Sequence, residues 1–409
     1  MGKLVNVPVD QVPEFWPKSL GTDAYTWITG HMKNGMLHHA DAEFEFNVGA
    51  DESLSVITLD GTMAADGVTV SYLPGMPEVK DVAALMAFDA DTFDIAVDRG
   101  SSEHLTVHSG TMHISGLQEI DQYADLEMQV SAKVPDALKY IDNQPLGFAK
   151  EMGIDPTLTA GDAVVDVKLR FLLAKDLSID DVDVHAHADL KAVSMQDVVF
   201  DKDVTQGDLT LTVDKTKMDV VGVALMTDLP INLKWTENFD DKAPFRAQYE
   251  IGASIDDVEK IKSIGVDVSS LTDDIVQGGV DTTIRYTMFD ERSGRVEIEA
   301  DLVRAEMKLP MIDWRKASGD SGWAAVTILI ENGLVKSVPS FEVNAGDLLV
   351  EGDIKYAPAG LGLERINLKQ VLLDRTNVSG AVISRPDGGW ELGLRGSEID
   401  ITPLWDRMF

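Results

Sequence analysis

The 409-residue chain contains no cysteine, which rules out disulfide staples, thiolate metal sites and thiol nucleophiles together. Aromatic residues are sparse at 7%, so the 44% of apolar residues are mostly Val, Ile, Leu, Met and Ala. Such side chains suit a pleated, half-buried surface better than a compact aromatic core. Basic residues are scarce as well: 35 Lys and Arg stand against 70 Asp and Glu, a formal charge of −35. A nucleic-acid partner needs a basic footprint and is excluded on that ground. The acids are spread over polar positions rather than gathered in a tail, which makes them a solubilising outer face. Long apolar runs are missing too. The longest, near Val220 to Met226, falls far short of the roughly 20 residues that a bilayer span requires. Met1 to Val9 lacks the basic and apolar regions of a signal peptide, so the chain reads either as cytosolic or as a piece of a longer membrane-anchored protein.

Catalytic motifs are equally thin. There is no G-x-S-x-G elbow, no H-E-x-x-H and no Walker loop. Gly319-Asp320-Ser321-Gly322 resembles the surroundings of a serine-protease nucleophile, but it continues into Trp323 and no upstream A-A-H-C segment supplies a base; a polar turn between strands explains it better. His185 and His187 point the same way on a strand beside Asp183 and Asp189, a set that could hold zinc. That face is the wet one, where imidazoles need no ligand. His38, His39, His104, His108 and His113 read as surface residues. Asp89, Asp91 and Asp94 lack the Gly and closing Glu of a calcium loop. With 70 acids some carboxylate pair is inevitable, so no pair is informative. The sequence therefore predicts a protein that is not an enzyme, with no metal and no cofactor.

What the chain has is alternation. Ala40, Ala42, Phe44, Phe46 and Val48 fall on one face of a strand, with Asp41, Glu43, Glu45 and Asn47 on the other. Val165, Val167, Leu169 and Phe171 repeat the pattern against Asp166, Lys168 and Arg170, as do Val182, Val184, Ala186, Ala188 and Leu190. Many more such segments follow one another at short spacing, which predicts an antiparallel sheet. Helical spacing is confined to Asp23–Lys33, capped by Thr22 and stopped by Gly35, to a short helix opened by Pro135, to a turn from Pro145 toward Gly153, and to a stretch after Ser254 with Val258 and Ile261 ending at Gly265. Asp387-Gly388-Gly389 marks a hairpin turn before Trp390.

Gly35, Gly161 and Gly279 each precede a long alternating strand, which suggests a weak internal repeat of about 120 residues. The expected organisation is a helical lead over 1–36, a first β-repeat over 37–134, a second over 135–253, and a third with a C-terminal meander over 254–409. The expected fold is mainly β: an elongated, curved antiparallel sheet forming a groove from weak repeats, with a few short helices.

An apolar sheet face must be buried on another sheet, on helices or on a ligand. The helical regions are too short to cover strands along the whole chain. Two readings remain. In one, the faces pack on each other as the dry core of a structural or adhesive β-rich protein. In the other, the face lines a groove that takes acyl chains, with Phe44, Phe46, Val165, Val167, Leu169, Phe171, Tyr249, Ile251, Ile284, Tyr286 and Met288 as the lipid-contacting residues.

Several short motifs occur in a specific order: Val12-Pro13-Glu14-Phe15-Trp16-Pro17 before Trp27-Ile28 and Gly35, then Val70-Ser71-Tyr72-Leu73-Pro74-Gly75-Met76-Pro77, Pro145-Leu146 before Gly153, Ala300-Asp301-Leu302 with Leu309-Pro310, and Gly396-Ser397-Glu398-Ile399-Asp400. In these the chain resembles the AsmA-like envelope proteins, in the branch that includes YhdP and TamB, over nearly its whole length. The resemblance implies a bridge-like protein with a curved β-groove that carries phospholipid across the periplasm. It also implies an N-terminal inner-membrane anchor and outer-membrane partners. The anchor helix is not in this sequence, so the resemblance makes the chain a fragment or truncated form.

Overall fold

Antiparallel pairing of each strand with the next dominates the computed structural model, which describes residues 2–16, 22–48, 54–174, 177–199, 202–256, 260, 275–357, 362–385 and 389–400. The chain divides into two units: residues 1–195 with 210–215, and residues 196–209 with 216–409.

The first unit begins with β1 (Gly2–Pro8), α1 (Val12–Phe15), α2 (Thr22–His31) and β2 (Met32–Lys33). A run of long strands follows: β3 (Met36–Val48), β4 (Leu54–Val70), β5 (Val79–Phe88), β6 (Thr92–Ser102), β7 (Leu105–Ser115) and β8 (Tyr123–Lys133). After α3 (Val134–Ile141) and α4 (Phe148–Glu151) come β9 (Thr159–Leu172) and β10 (Asp183–Val199). β1 pairs with β3 and β2 with the end of β4, and from β3 to β10 every strand is antiparallel to its successor. The turn at Asn34 and Gly35 takes positive φ at both residues. A Cβ on Gly35 would lie 2.7 Å from the carbonyl oxygen of Asp66, so glycine is required by space as well as by conformation.

β11 (Lys202–Asp214) is shared between the units at Leu209 and Thr210. The second unit continues with β12 (Lys217–Met226), β13 (Leu229–Asn238), β14 (Ala247–Ile255), β15 (Val276–Gly278), β16 (Val280–Met288), β17 (Ser293–Asp301), β18 (Ala305–Leu309) and β19 (Trp314–Lys316). It ends in a meander of β20 (Gly322–Glu331), β21 (Leu334–Ala345), β22 (Leu348–Tyr356), β23 (Leu363–Leu373), β24 (Thr376–Ser384) and β25 (Trp390–Glu398). β15, β18 and β19 form a small three-stranded sheet, and the other 22 strands belong to one open antiparallel sheet.

The expected mainly β fold with few short helices is the one observed. The Asp23–Lys33 helix corresponds to α2, the Pro135 helix to α3 and the Pro145 turn to α4. Ser254 is still within β14; apart from Lys260, the Val258–Gly265 stretch lies outside the described residues, as do positions 387 and 388 of the hairpin turn.

Small buried clusters sit at strand ends. Val9, Leu37, Ala65 and Val68 form one beneath the N-terminal turns. Val276, Val280, Leu302 and Ala305 form a second under the three-stranded sheet. Trp314, Ala345 and Leu348 form a third. No helix among the described residues is long and apolar enough to cross a membrane.

Candidate apolar binding face

Strand register turns the alternation of single strands into continuous rows. In the first unit, Leu4, Ala40, Met63, Met86, Ile95, Met112, Leu126, Leu169 and Val184 are successive cross-strand partners over nine strands. A parallel row runs Ala42, Gly61, Phe88, Phe93, Ile114, Ala124 and Phe171. A third runs Ala84, Val97, Gly110, Met128, Val167 and Ala186. The Phe88 and Phe93 rings stack at 5.9 Å. Because cross-strand partners share a face, three rows make one apolar surface.

Its reverse is charged. Lys168 reaches Glu127 at 2.9 Å and Arg170 reaches Asp125 at 2.9 Å across β8 and β9. His185 and His187 stand there too, exposed, 3.7 and 3.9 Å from Asp183 and Asp189. Among the described residues no group of three His, Asp or Glu side chains could hold a metal ion. Asp89 accepts the backbone N–H groups of Asp91 and Thr92 in a turn, and Asp94 pairs with His113 at 2.6 Å. Gly319–Ser321 is the turn into β20.

Burial varies along the rows. The members of the Leu4–Val184 row are all half-buried: each keeps part of its surface exposed. In the second unit, a row runs Leu233, Ile251, Ile284, Ile298, Val326, Phe341, Gly352, Leu368 and Gly380 to Leu394. Ile251 and Ile284 are only 1% exposed, whereas Val326, Phe341 and Leu368 are again half-buried. The second unit thus has a sealed stretch over β12–β17 and a more open one over β20–β25.

An aromatic stack lies in the sealed stretch. Trp235, Tyr249 and Tyr286 face one another across β13, β14 and β16, with ring centroids 5.4 and 6.4 Å apart. Burial pushes both tyrosine hydroxyls above their ordinary pKa, and the carboxylate of Glu237 reinforces this at Tyr249. Glu237 occupies a position of apolar parity, takes a hydrogen bond from the Trp235 indole and has Arg246 3.5 Å away. Burial raises its carboxyl above the usual range against the pull of those two partners.

The expected lining residues fall on these rows as follows. Val165, Val167, Leu169 and Phe171 share one face of β9 and are half-buried. Phe44 faces Leu59 across β3 and β4 at 37% exposure. Phe46 pairs with Val56, its side chain lying outside the described set. Tyr249, Tyr286 and Met288 are half-buried, and Ile251 and Ile284 are covered. The sequence reading did not single out Met63, Met86, Ile95, Met112, Leu126 and Met128 as lining; their parity marks an apolar face, but only the register connects them to Leu169.

A family model described as YhdP protein matches residues 2–408 of the chain. Neither the curated proteins nor the solved structures include a match.

Proposed function

Since the chain belongs to the YhdP family, a family of the bacterial envelope whose membership suggests a role in lipid transport, we propose that its apolar sheet face shields phospholipid acyl chains without catalysing a reaction. The observation that carries the reading is the nine-strand row from Leu4 to Val184, apolar throughout and half-buried throughout. Burying one CH₂ contributes about 0.8 kcal/mol, so holding two acyl chains bare in water costs on the order of 20 kcal/mol. A tract of Leu, Ile, Val and Met offers no polar atom that would need a partner there and removes most of that cost. Contact falls to Phe44, Phe46, Val165, Val167, Leu169 and Phe171 together with the methionines of the same rows. In the second unit, Tyr249, Tyr286 and Met288 border the covered Ile251 and Ile284. The site of action in this reading is the periplasm, with an inner-membrane anchor and outer-membrane partners.

A structural role with a dry core is favoured locally by one observation, the 1% exposure of Ile251 and Ile284. Native mass spectrometry of gently purified protein separates the two. Phospholipid adducts that disappear in Leu169→Lys support acyl binding; a bare chain, or adducts indifferent to that change, supports the structural alternative.

A further inference from the structure

The β4–β5 connection, residues 71–78, bridges one end of the sheet in the first unit. The ends of β4 and β8 are separated by β5, β6 and β7, about 19 Å along the sheet, yet the hydroxyls of Tyr72 and Tyr140 hydrogen-bond at 2.6 Å. Tyr140 belongs to α3, which starts directly after β8 and packs on β8 and β9. Gly75 makes a second contact. Its φ is +91°, and a Cβ there would lie 2.5 Å from the Gln144 carbonyl oxygen, so only glycine lets the loop come this close to the α3–α4 connection.

Burial follows the bridge. On β9, Phe171, Leu169, Val167 and Val165 are half-buried, whereas Ala163, of the same parity and nearest α3, is 4% exposed. On β7, Ile114 and Met112 are half-buried, whereas Val107, in the row of Val130 and Val165, is 6% exposed. The apolar face is thus accessible in mid-strand and closed at this end. The loop's attachments are unequal. At its start the Ser71 N–H donates to the His31 carbonyl at 2.8 Å and the His31 Nδ1 donates to the Ser71 carbonyl at 2.7 Å. At its end the Ser102 hydroxyl donates to the Glu78 carbonyl at 3.0 Å. Between them, Met76 is buried, and among the described residues neither a backbone hydrogen bond nor an ion pair joins the loop to α3 or α4. Fixed ends and a lightly held middle are the construction of a lid.

We propose, resting on the acyl-shielding reading above, that residues 72–77 with α3 and α4 form a gate over this end of the apolar face, latched by Tyr72 and Tyr140. Ser71 and Glu78 are its fixed hinges. Acyl chains enter and leave the face of the first unit past it, and the closed latch holds them in place.

Because the chain has no native cysteine, a single introduced thiol reports on the gate. Ala163→Cys places it at the closed end and Leu169→Cys in the middle of the same strand. Maleimide labelling of Ala163→Cys should be slow, and roughly fivefold faster once Tyr72→Phe removes the latch. Labelling of Leu169→Cys should not change with the latch, and circular dichroism checks that the fold is kept. Transfer of a pyrene-labelled phosphatidylethanolamine from the whole chain to acceptor vesicles should quicken in Tyr72→Phe by a similar factor. Labelling of Ala163→Cys that ignores the latch overturns the gate, as does equal acceleration at both thiols. Phospholipid transfer at an unchanged rate overturns it too. A wild type that takes up no labelled phospholipid, while Ala163→Cys still responds to the latch, sinks the acyl-shielding reading and the gate's role with it.

Discussion

Trp235 donates its indole N–H to Glu237 at 3.2 Å, and this holds a carboxyl group among side chains of apolar parity. Burial raises the Glu237 carboxyl above the usual range, so the folded chain keeps that proton at a pH where unfolded glutamate has lost it. Stability from this group is therefore fully present below the unfolded value and is lost as pH climbs through the folded one. Glu237→Gln retains an acceptor for Trp235 and removes the titration. Thermal melts between about pH 4 and pH 7 should fall less steeply with rising pH in this variant than in the wild type. The Arg246 pair at 3.5 Å is half-exposed and contributes little to the difference.

Lys316 is 1% exposed, and its ammonium donates to the carbonyl oxygens of Leu302, Ala305 and Ala317 at 2.8, 2.9 and 3.2 Å. It ties β19 to the start of β18 and to the turn after β17. Lys316→Met removes the charged donor from all three carbonyls, leaving those of Leu302 and Ala317 with the backbone N–H groups of Ala305 and Asp320 alone, and should cost about 2 kcal/mol in urea unfolding. Hydrogen exchange should rise first in β18 and β19.

Gly352 lies against the Phe341 ring and the Asn367 carbonyl so closely that a Cβ would overlap both. The carbonyl belongs to the backbone of β23 and cannot rotate away. Gly352→Ala is expected to destabilise by about 2 kcal/mol. Adding Phe341→Ala should recover only part of that, because the backbone clash remains.

Leu169 and Ile284 provide a contrast in burial. A lysine at half-buried Leu169 can run its stem along the face and lift its charge into water, so Leu169→Lys should melt within a few degrees of the wild type. Ile284 is 1% exposed, and an uncompensated ammonium there costs several kcal/mol. Ile284→Lys should lose cooperative unfolding altogether. Equal losses in both variants would mean that the two faces are equally closed.

The strands were legible because their period of two is a local property. Ala40–Val48 and Val165–Phe171 could be assigned to faces without knowing what they pair with. The helix α2 was legible from Thr22 and Gly35 for the same reason. Row membership was not, because bulges such as those between Leu37 and His39 or Ala65 and Val68 change which residues meet. Nor could parity distinguish Leu169 from Ile284: both are apolar residues on an apolar face, and their burial depends on what lies across the sheet. Glu237 follows Ile231, Leu233 and Trp235 in strict alternation, so a carboxylate at that parity was a visible anomaly. Lys316 gave no such signal, since its partners are backbone oxygens.

In the meander from β4 to β9 every strand bonds to the one made just before it and then to the one made just after. A chain emerging from the ribosome can therefore add to its sheet hairpin by hairpin, with little long-range search. Each newly finished strand is for a moment a bare template, and its natural capture is the next segment to be synthesised. The same growth rule sets reach: each further strand widens the greasy tract by about 4.8 Å, so evolution could lengthen such a protein by duplicating hairpins without redesigning those already in place.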